Sequence, residues 1–251
     1  MNDAMGDIEI LRPDWALPVE AGFTTRPGGV SPPPYDALNL ALHVEDDPAR
    51  VRENRRRLVA QAGLPEQPRW VAQVHGTRVV HADEVERDGT EADAVWTDQP
   101  GQVCAVLVAD CLPVLLADRA GGCVAAVHAG WRGLAAGILQ QTVATLPVAA
   151  PDLAACIGPC IGPGAYEVGP EVIEQMKGRD IQPVHHPSGR RRERFQLDLA
   201  ATARDMLASA GVGDIRRVAH CTHGDPARFF SYRRDGVTGR IAGYITVRSP
   251  L

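Results

Sequence analysis

The sequence predicts an α+β fold, with mixed sheets and helices layered in a single domain over residues 1–251. Segments with the period of a strand follow one another directly, as in hairpins, and are mixed irregularly with segments of helical period. The 251 residues, of which 45% are hydrophobic, suffice for one large core. The sequence has no internal repeat, and the irregular element order favours a layered mixed sheet over a doubly wound parallel sheet.

The first half of the chain predicts a loop, a long helix and several strands. Residues 23–34, FTTRPGGVSPPP, are rich in Gly, Pro and Thr and predict a loop. Pro48–Ala62 predicts a helix, since Asp46 or Asp47 can cap its start and Gly63 ends it. The predicted strands in this half are residues 70–74, 79–80 and 101–109.

The middle of the chain predicts a β-hairpin. Two apolar runs, residues 114–118 and 123–127, are joined by the turn-rich segment RAGG. If the ends of these runs face each other, the register places His128 opposite Pro113, with Cys111 as its diagonal neighbour. Cys111 and His128 then converge on one face of the sheet, unless a bulge at Pro113 shifts the strand.

The second half continues with alternating helices and strands. After His128, the segment AGWRG predicts a tight turn before an apolar helix over residues 134–146. The further predicted helices are residues 170–177 and 197–211, and the further predicted strands are residues 155–161, 218–221 and 241–247.

Composition and charge exclude several classes of protein. A net charge of −5 and a pI near 5.9 repel a nucleic-acid backbone, so we expect no nucleic-acid partner. The acidic start lacks the order of a secretory signal, and no apolar run reaches the roughly 18 residues of a membrane span. We therefore expect a cytoplasmic chain with no membrane partner and reduced cysteines. The basic run 190–192, with Arg194, predicts a solvated loop.

Three apolar runs end in side chains that bind metals. These runs end in His75, Cys111 and His128, each beside a predicted turn. Two imidazoles and a thiolate form a borderline-soft donor set that suits zinc, and three protein ligands leave a fourth position for water or substrate. A zinc ion held in this way lowers the pKa of bound water or polarises a substrate atom.

Six motifs in order resemble those of the YfiH family, whose members are also called laccase-domain, polyphenol oxidase, purine nucleoside phosphorylase or peptidoglycan editing factor PgeF proteins. The motifs are QVHG (73–76), DAVWTD (93–98), ADCLPVLLAD (109–118), VHAGWRG (127–133), CIGPCIGP (156–163) and FFSYRRDGVTGR (229–240). The resemblance spans almost the whole chain. It implies a single-domain fold with α/β/β/α layers in which His75, Cys111 and His128 bind zinc; only the resemblance joins His75 to the other two ligands.

The activity implied by this resemblance is phosphorolysis of adenosine, inosine and S-methyl-5′-thioadenosine, with deamination of adenosine as a second reaction. Phosphorolysis needs an anion site, which the backbone after Gly130 and the neighbouring Arg132 could supply, although Arg132 could also be a plain surface residue. Deamination needs an activated water. Asp110 is the carboxylate nearest to the ligands in sequence and either orients that water or is a hydrogen-bonded residue at a strand end.

Other residues are candidates for binding the nucleoside and phosphate. Arg26 and Asn39 resemble N-terminal motifs of the family, and Arg233 or Arg234 follows aromatic side chains that could stack on a purine. The alternative is that the aromatic residues belong to the core and the arginines form salt bridges. Cys156 and Cys160, which have no second ligand pair nearby in sequence, are interpreted as packing residues.

Three rival functions use the same residues differently. Cys111 as a thiolate nucleophile with His128 as its base, or zinc at the same site, would make the protein an amidase that edits peptidoglycan precursors such as UDP-MurNAc-L-Ser. A copper polyphenol oxidase is less favoured, because the eight histidines include no His-x-His pair, although copper could occupy the site. A non-catalytic binding protein is the third class.

Overall fold

The computed structural model describes residues 6–86, 89–177, 183–187 and 193–248. The strands in these ranges are β1 (Ile10–Leu11), β2 (Val19–Thr24), β3 (Arg69–Trp70), β4 (Val79–His81), β5 (Ala94–Thr97), β6 (Val103–Val108), β7 (Leu112–Asp118), β8 (Val124–Ala129), β9 (Leu153–Ile157), β10 (Glu167–Val168), β11 (His185–Pro187), β12 (Phe195–Leu197), β13 (Asp214–Arg217) and β14 (Ile241–Val247). The α-helices are α1 (Pro48–Ala62), α2 (Trp131–Ala136), α3 (Ile138–Thr145), α4 (Pro170–Lys177), α5 (Leu199–Ser209) and α6 (Tyr232–Asp235).

Two large mixed sheets form the centre of the fold. One has the strand order β1-β2-β14-β6-β3 and the other β13-β9-β7-β8-β5-β4, while β10, β12 and β11 form a small third sheet. Each large sheet is mostly antiparallel but contains parallel pairs: β3 with β6 in the first, and β4 with β5 and β13 with β9 in the second. The predicted α+β class with mixed sheets is confirmed.

Most of the buried side chains lie in three layers. One layer lies between the two large sheets and includes Val106 of β6 and Leu115 of β7. The second, with Val127 and Ile138, lies between the six-stranded sheet and helices α2 to α5. The third lies between the five-stranded sheet and α1, and includes Leu58. The layers therefore run helix, sheet, sheet, helices, as the resemblance implies.

The predicted hairpin forms with the predicted register. Pro113 of β7 pairs with His128 of β8, Leu116 pairs with Ala125, and the pairing runs without a bulge. Side chains alternate along β8, so Val127 and Ala129 face the helices, whereas Ala126 faces the other large sheet. His128 lies on the same side of the strand as Ala126, toward the space between the two sheets.

The elements at the two ends of the chain also follow local signals. Helix α1 has the predicted bounds: Asp47 accepts a hydrogen bond from Ala49 N, and Gly63 ends the helix with φ 65°. Helix α4 and strand β14 have the predicted bounds too, and α5 lies inside the predicted range.

Five local predictions need correction. The helix predicted over residues 134–146 is two helices, because Gly137 adopts φ 90° between α2 and α3. The strand predicted at 218–221 lies earlier, at β13, and the strand predicted at 155–161 ends at Ile157. The residues predicted as a loop from 23 onward overlap the end of β2.

The fifth correction concerns the strand predicted over residues 70–74, which ends at Trp70. Beyond it, the side chain of Gln73 pairs with the backbone of Leu107 in both directions: Nε2 donates to Leu107 O at 2.8 Å, and Leu107 N donates to Oε1 at 2.7 Å. A side-chain amide thus replaces the backbone ladder, and the backbone of the next residues can turn away from the sheet.

Three other sequence-based expectations concern the basic run, the membrane and the number of domains. The basic run 190–192 lies outside the described residues. None of the helices in the described ranges combines the length and the apolar character needed to cross a membrane. That residues 1–251 form a single domain stays a prediction.

Candidate metal centre

His75, Cys111 and His128 meet at one point of the fold. Their ligand atoms lie within 4.8 Å of one another, and His75 Nε2 lies 3.9 Å from Cys111 Sγ. The two imidazole rings stand edge to face, with centroids 4.8 Å apart and planes at 80°. His128 is buried, Cys111 is half-buried and His75 is exposed, so the cluster reaches from the core to the surface. The hairpin register and the segment after β3 together bring about the convergence that the resemblance implies.

Asp93, immediately before β5, connects two of the three ligand residues. Its Oδ1 accepts from His128 Nδ1 at 2.8 Å and from His75 N at 2.9 Å, and its Oδ2 accepts from Gly76 N at 2.6 Å. The side chain is fully buried. Because Nδ1 of His128 is engaged, Nε2 is the nitrogen left to face the cluster, which is the usual arrangement of a carboxylate behind a metal-binding histidine.

The same carboxylate holds His75 in an uncommon backbone conformation. His75 has φ 61°, in the left-handed region that non-glycine residues rarely adopt. The hydrogen bonds from His75 N and Gly76 N to Asp93 stabilise this turn. We did not single out Asp93 from the sequence; the available signal was a carboxylate inside the motif DAVWTD, directly before an apolar strand.

Asp110 stabilises the second sharp turn, which leads into Cys111. Its φ is 86°, and its carboxylate accepts from Thr222 Oγ1 at 2.6 Å, Ser231 Oγ at 3.0 Å and Arg233 N at 2.7 Å. Three donors occupy this buried carboxylate, which favours the hydrogen-bonded role over the orientation of water. Its catalytic role stays a prediction.

Gly130 provides the space around the cluster. A Cβ at this position would lie 3.0 Å from His75 Cδ2 and 3.1 Å from Cys111 Sγ. Since Gly130 has φ −69°, a conformation open to any residue, the requirement for glycine here is steric. The donor set and the space that Gly130 leaves together fit a metal ion, and the three side chains could hold one. They are the only group of three or more His, Cys, Asp or Glu in the described part of the chain that could do so.

The metal-free cluster is strongly coupled electrostatically. Burial raises the pKa of the Cys111 thiol, but the charge of His128 and hydrogen bonds from both histidines outweigh it and lower that pKa to about 6. Burial lowers the pKa of His128, but the charge of Cys111 and the hydrogen bond to Asp93 raise it to about 9. The hydrogen bond from His128 also helps to hold the pKa of Asp93 below its usual value despite burial. Without metal, thiolate and imidazolium are therefore the favoured pair near neutral pH.

A cavity of about 230 Å³ opens beside His75 and Cys111. Its wall includes Trp131, Arg132, Ile161, Tyr166, Tyr232 and Arg233. Two of the predicted substrate residues, Arg132 and Arg233, therefore lie in the same cavity as two of the three predicted metal ligands. Tyr232 belongs to the aromatic run predicted to stack on a purine, whereas Tyr166 was missed as a cavity residue, since it does not stand near a ligand in sequence.

The structure does not bring Arg26 and Asn39 to this cavity. Arg26 donates to the backbone oxygen and the carboxylate of Asp36, and its guanidinium lies 5.1 Å from the ring centroid of Phe230. Asn39 is fully buried, donates to Asp46 Oδ2 at 2.9 Å and accepts from Arg240 N at 3.0 Å. Their role in substrate binding stays a prediction that this cavity does not support.

Arg234 and the cysteine pair Cys156 and Cys160 have structural roles. Arg234 donates to the backbone oxygens of Thr222, His223 and Phe229, and so braces the loop before α6. Cys156 and Cys160 are buried, and burial raises the pKa of each thiol to about 12, in agreement with a packing role.

Sequence comparison matches nearly all of this chain to proteins of one family. The sequence profile described as "Multi-copper polyphenol oxidoreductase laccase" matches residues 20–248. The chain is 45% identical over 243 residues to the "Purine nucleoside phosphorylase YfiH" of Shigella flexneri, covering 94% of this chain and 98% of that one. It is 47% identical over 243 residues to the "Purine nucleoside phosphorylase PA4543" of Pseudomonas aeruginosa, covering 94% and 97%.

Solved structures show the same fold. The protein NMB0706 of Neisseria meningitidis, assigned to the family DUF152, superposes with a TM-score of 0.88 at 41% identity over 97% of this chain and 100% of that one. The hypothetical protein YfiH of Bacillus licheniformis superposes with a TM-score of 0.84 at 32% identity over 92% and 93%. From its motifs, its layered fold and these relatives, the chain belongs to the YfiH family.

Proposed function

We propose that this protein is a zinc-dependent purine nucleoside phosphorylase that acts on adenosine, inosine and S-methyl-5′-thioadenosine, with deamination of adenosine as a second reaction. One observation carries the proposal. The three possible metal ligands lie beside a cavity whose wall includes aromatic and cationic side chains. Relatives that share almost the full length carry the name of this activity.

The metal in this proposal is zinc. Two imidazoles and a thiolate are its preferred kind of donor set, and three ligands leave a position open. When bound by His75, Cys111 and His128, zinc supplies a positive charge that polarises a substrate group or activates water.

The residues of the chain supply binding and orientation. Asp93 holds the ring of His128 and the backbone of His75, so that both imidazoles keep their positions as substrate enters. The rings of Tyr166 and Tyr232 offer flat surfaces for a purine, and the apolar wall at Ile161 excludes water from one side. Asp110 is a positioning residue here, since it fixes the turn at Cys111.

Product analysis of the zinc-loaded protein tests the proposal. We expect inosine with phosphate to yield hypoxanthine and ribose 1-phosphate by mass spectrometry, and no ribose 1-phosphate without phosphate. Cys111→Ser should abolish the reaction, whereas Cys221→Ser, a half-buried thiol outside the cavity, should retain it. Inosine left intact by zinc-loaded protein in the presence of phosphate would contradict the proposal.

One observation favours a second candidate. The lowered pKa of Cys111, beside a histidine held by a carboxylate, is the arrangement of a cysteine nucleophile with its base, as in an amidase acting on UDP-MurNAc-L-Ser. Full activity on such a precursor after chelation, lost on treatment with iodoacetamide, would support this candidate. Chelator sensitivity reversed by zinc supports the metal-dependent reaction.

The description of the family profile names a multi-copper oxidoreductase. The described residues offer one three-donor group, whereas multi-copper chemistry needs ligands for several copper ions. Metal analysis of purified protein distinguishes the two, since stoichiometric zinc without blue absorbance supports the phosphorylase. We place the reaction in the cytoplasm, because a thiolate ligand and free cysteines fit a reducing compartment.

A further inference from the structure

The cavity beside the cluster presents two arginines that make no ion pair with a carboxylate among the described residues. Arg132 lies in the first turn of α2 and Arg233 in α6, and both side chains are exposed at the cavity mouth. Neither guanidinium takes part in any of the ion pairs found among the described residues. The cavity wall therefore carries two guanidinium charges that make no ion pair with any described residue.

Aromatic rings hold both guanidinium groups in place. Arg132 Cζ lies 4.4 Å from the ring centroid of Trp131, and Arg233 Cζ lies 5.0 Å from that of Tyr166. Arg233 Nη1 also donates to Glu167 O at 3.0 Å. A guanidinium packed on a ring loses little further freedom when it binds a ligand, and its remaining N–H groups stay available at its edge.

Asp110, a carboxylate in the cavity wall, makes no ion pair with either arginine in the described part of the chain. Asp110 is already occupied by Thr222, Ser231 and the backbone N–H of Arg233. Tyr166 stays a neutral phenol, since burial and the charge of Cys111 raise its pKa, and both Arg132 and Arg233 are close enough to oppose that rise. Both cations therefore act on the same part of the cavity.

We propose that Arg132 and Arg233 together bind the phosphate that attacks the nucleoside. This inference rests on the proposed function and names the subsite of its second substrate. Two forked guanidinium groups match the oxygens of a phosphate dianion, to which arginine donates paired hydrogen bonds. The neutral aromatic and apolar walls are left for the nucleoside.

The bound phosphate is then the nucleophile of phosphorolysis, whereas water is the nucleophile of deamination. In phosphorolysis, a phosphate oxygen forms a bond to C1′ of the ribose while the C1′–N glycosidic bond breaks. The electron pair of that bond leaves with the purine, which takes up the proton of hydrogen phosphate. Deamination of adenosine uses water and no phosphate, so it does not depend on this subsite.

Binding of inorganic phosphate to the zinc-loaded protein, measured by calorimetry, tests the inference independently of turnover. We expect Arg132→Gln and Arg233→Gln each to raise the Kd of phosphate about 10- to 100-fold, the loss of a charge-assisted pair of hydrogen bonds. In assays with inosine, the KM for phosphate should rise by a similar factor while the KM for inosine stays within about twofold. Lysine at either position should restore part of the loss, because it keeps the charge but not the fork.

Arg216→Gln is the matched control. Arg216 is an exposed arginine of β13 outside the cavity, paired with Asp214 at 2.7 Å, and its loss should leave phosphate binding unchanged. Because Arg132 and Arg233 are exposed, urea unfolding should show that their variants remain folded.

The outcomes separate this inference from the proposed function. Phosphorolysis with unchanged phosphate binding in both arginine variants overturns the inference and leaves the proposed function standing. A rise in the KM for inosine alone also overturns it, since the arginines would then bind the nucleoside. Phosphate binding that depends on both arginines, without any phosphorolysis by the unchanged protein, supports the anion site and overturns the proposed function.

Discussion

Asp93→Asn should show how far zinc binding depends on the carboxylate that positions the ligands, because the three ligands themselves stay unchanged. Asparagine keeps an oxygen at the position of Oδ1, which can still accept from His128 Nδ1 and His75 N. At the position of Oδ2, which accepts from Gly76 N at 2.6 Å in the unchanged protein, it has an N–H₂ group that cannot accept. A weaker hydrogen bond from Val74 N, at 3.3 Å, is lost with it. A fully buried donor left without an acceptor costs about 1–3 kcal/mol; these two donors are only partly buried, so the free energy of unfolding should fall by about 2–4 kcal/mol in total.

Zinc affinity should fall as well. Loss of a carboxylate behind a metal-binding histidine typically costs about 10- to 100-fold in affinity, equivalent to about 1.4–2.7 kcal/mol. Competition with a chromogenic chelator measures the zinc Kd, and urea unfolding of the metal-free protein measures stability. Asp98→Asn is the matched control, since Asp98 is an exposed carboxylate at the other end of β5 that pairs with His81 at 3.4 Å. Unchanged zinc affinity in Asp93→Asn, with the expected loss of stability, would refute the role assigned to Asp93.

Three further experiments test the metal centre and the helices beside it. Gly130→Ala should weaken zinc binding by at least tenfold in the same chelator assay, because its methyl group would lie 3.1 Å from Cys111 Sγ, whereas Gly164→Ala, whose added Cβ meets nothing within 4 Å, should not. In metal-free protein, the rate of alkylation of Cys111 by iodoacetamide should be half-maximal near pH 6 and fall below it, where the thiol is protonated. A free cysteine, whose pKa is about 8.5, would give a midpoint near pH 8.5. Bound zinc should block the alkylation. Gly137→Ala should destabilise the fold by about 1 kcal/mol in urea unfolding, since Gly137 has φ 90°, and leave the zinc Kd unchanged. Equal zinc affinity in Gly130→Ala and the unchanged protein, or alkylation centred near pH 8.5, would contradict the geometry described for the cluster.

Short-range signals made part of the fold predictable. The cap at Asp47, the left-handed Gly63 and the register between β7 and β8 all depend on residues close in sequence. Helix capping and a short hairpin close with little loss of chain entropy, so the local sequence is enough to specify them. The break at Gly137 was missed because a single glycine within an apolar helical pattern does not show whether the helix bends or ends there.

The sequence by itself determined that His128 pairs with Pro113, two residues after Cys111, since hairpin pairing follows from local turn chemistry and alternation. Only the tertiary structure decided how His75 reaches them: Asp93, 18 residues further along the chain, accepts its backbone N–H and fixes a left-handed turn. Only the tertiary structure joined Arg233 to Asp110, 123 residues away, and placed Asn39 in the interior. A carboxylate accepts equally well from any donor, so nothing in the sequence around it names its partners; packing of the two sheets selects them.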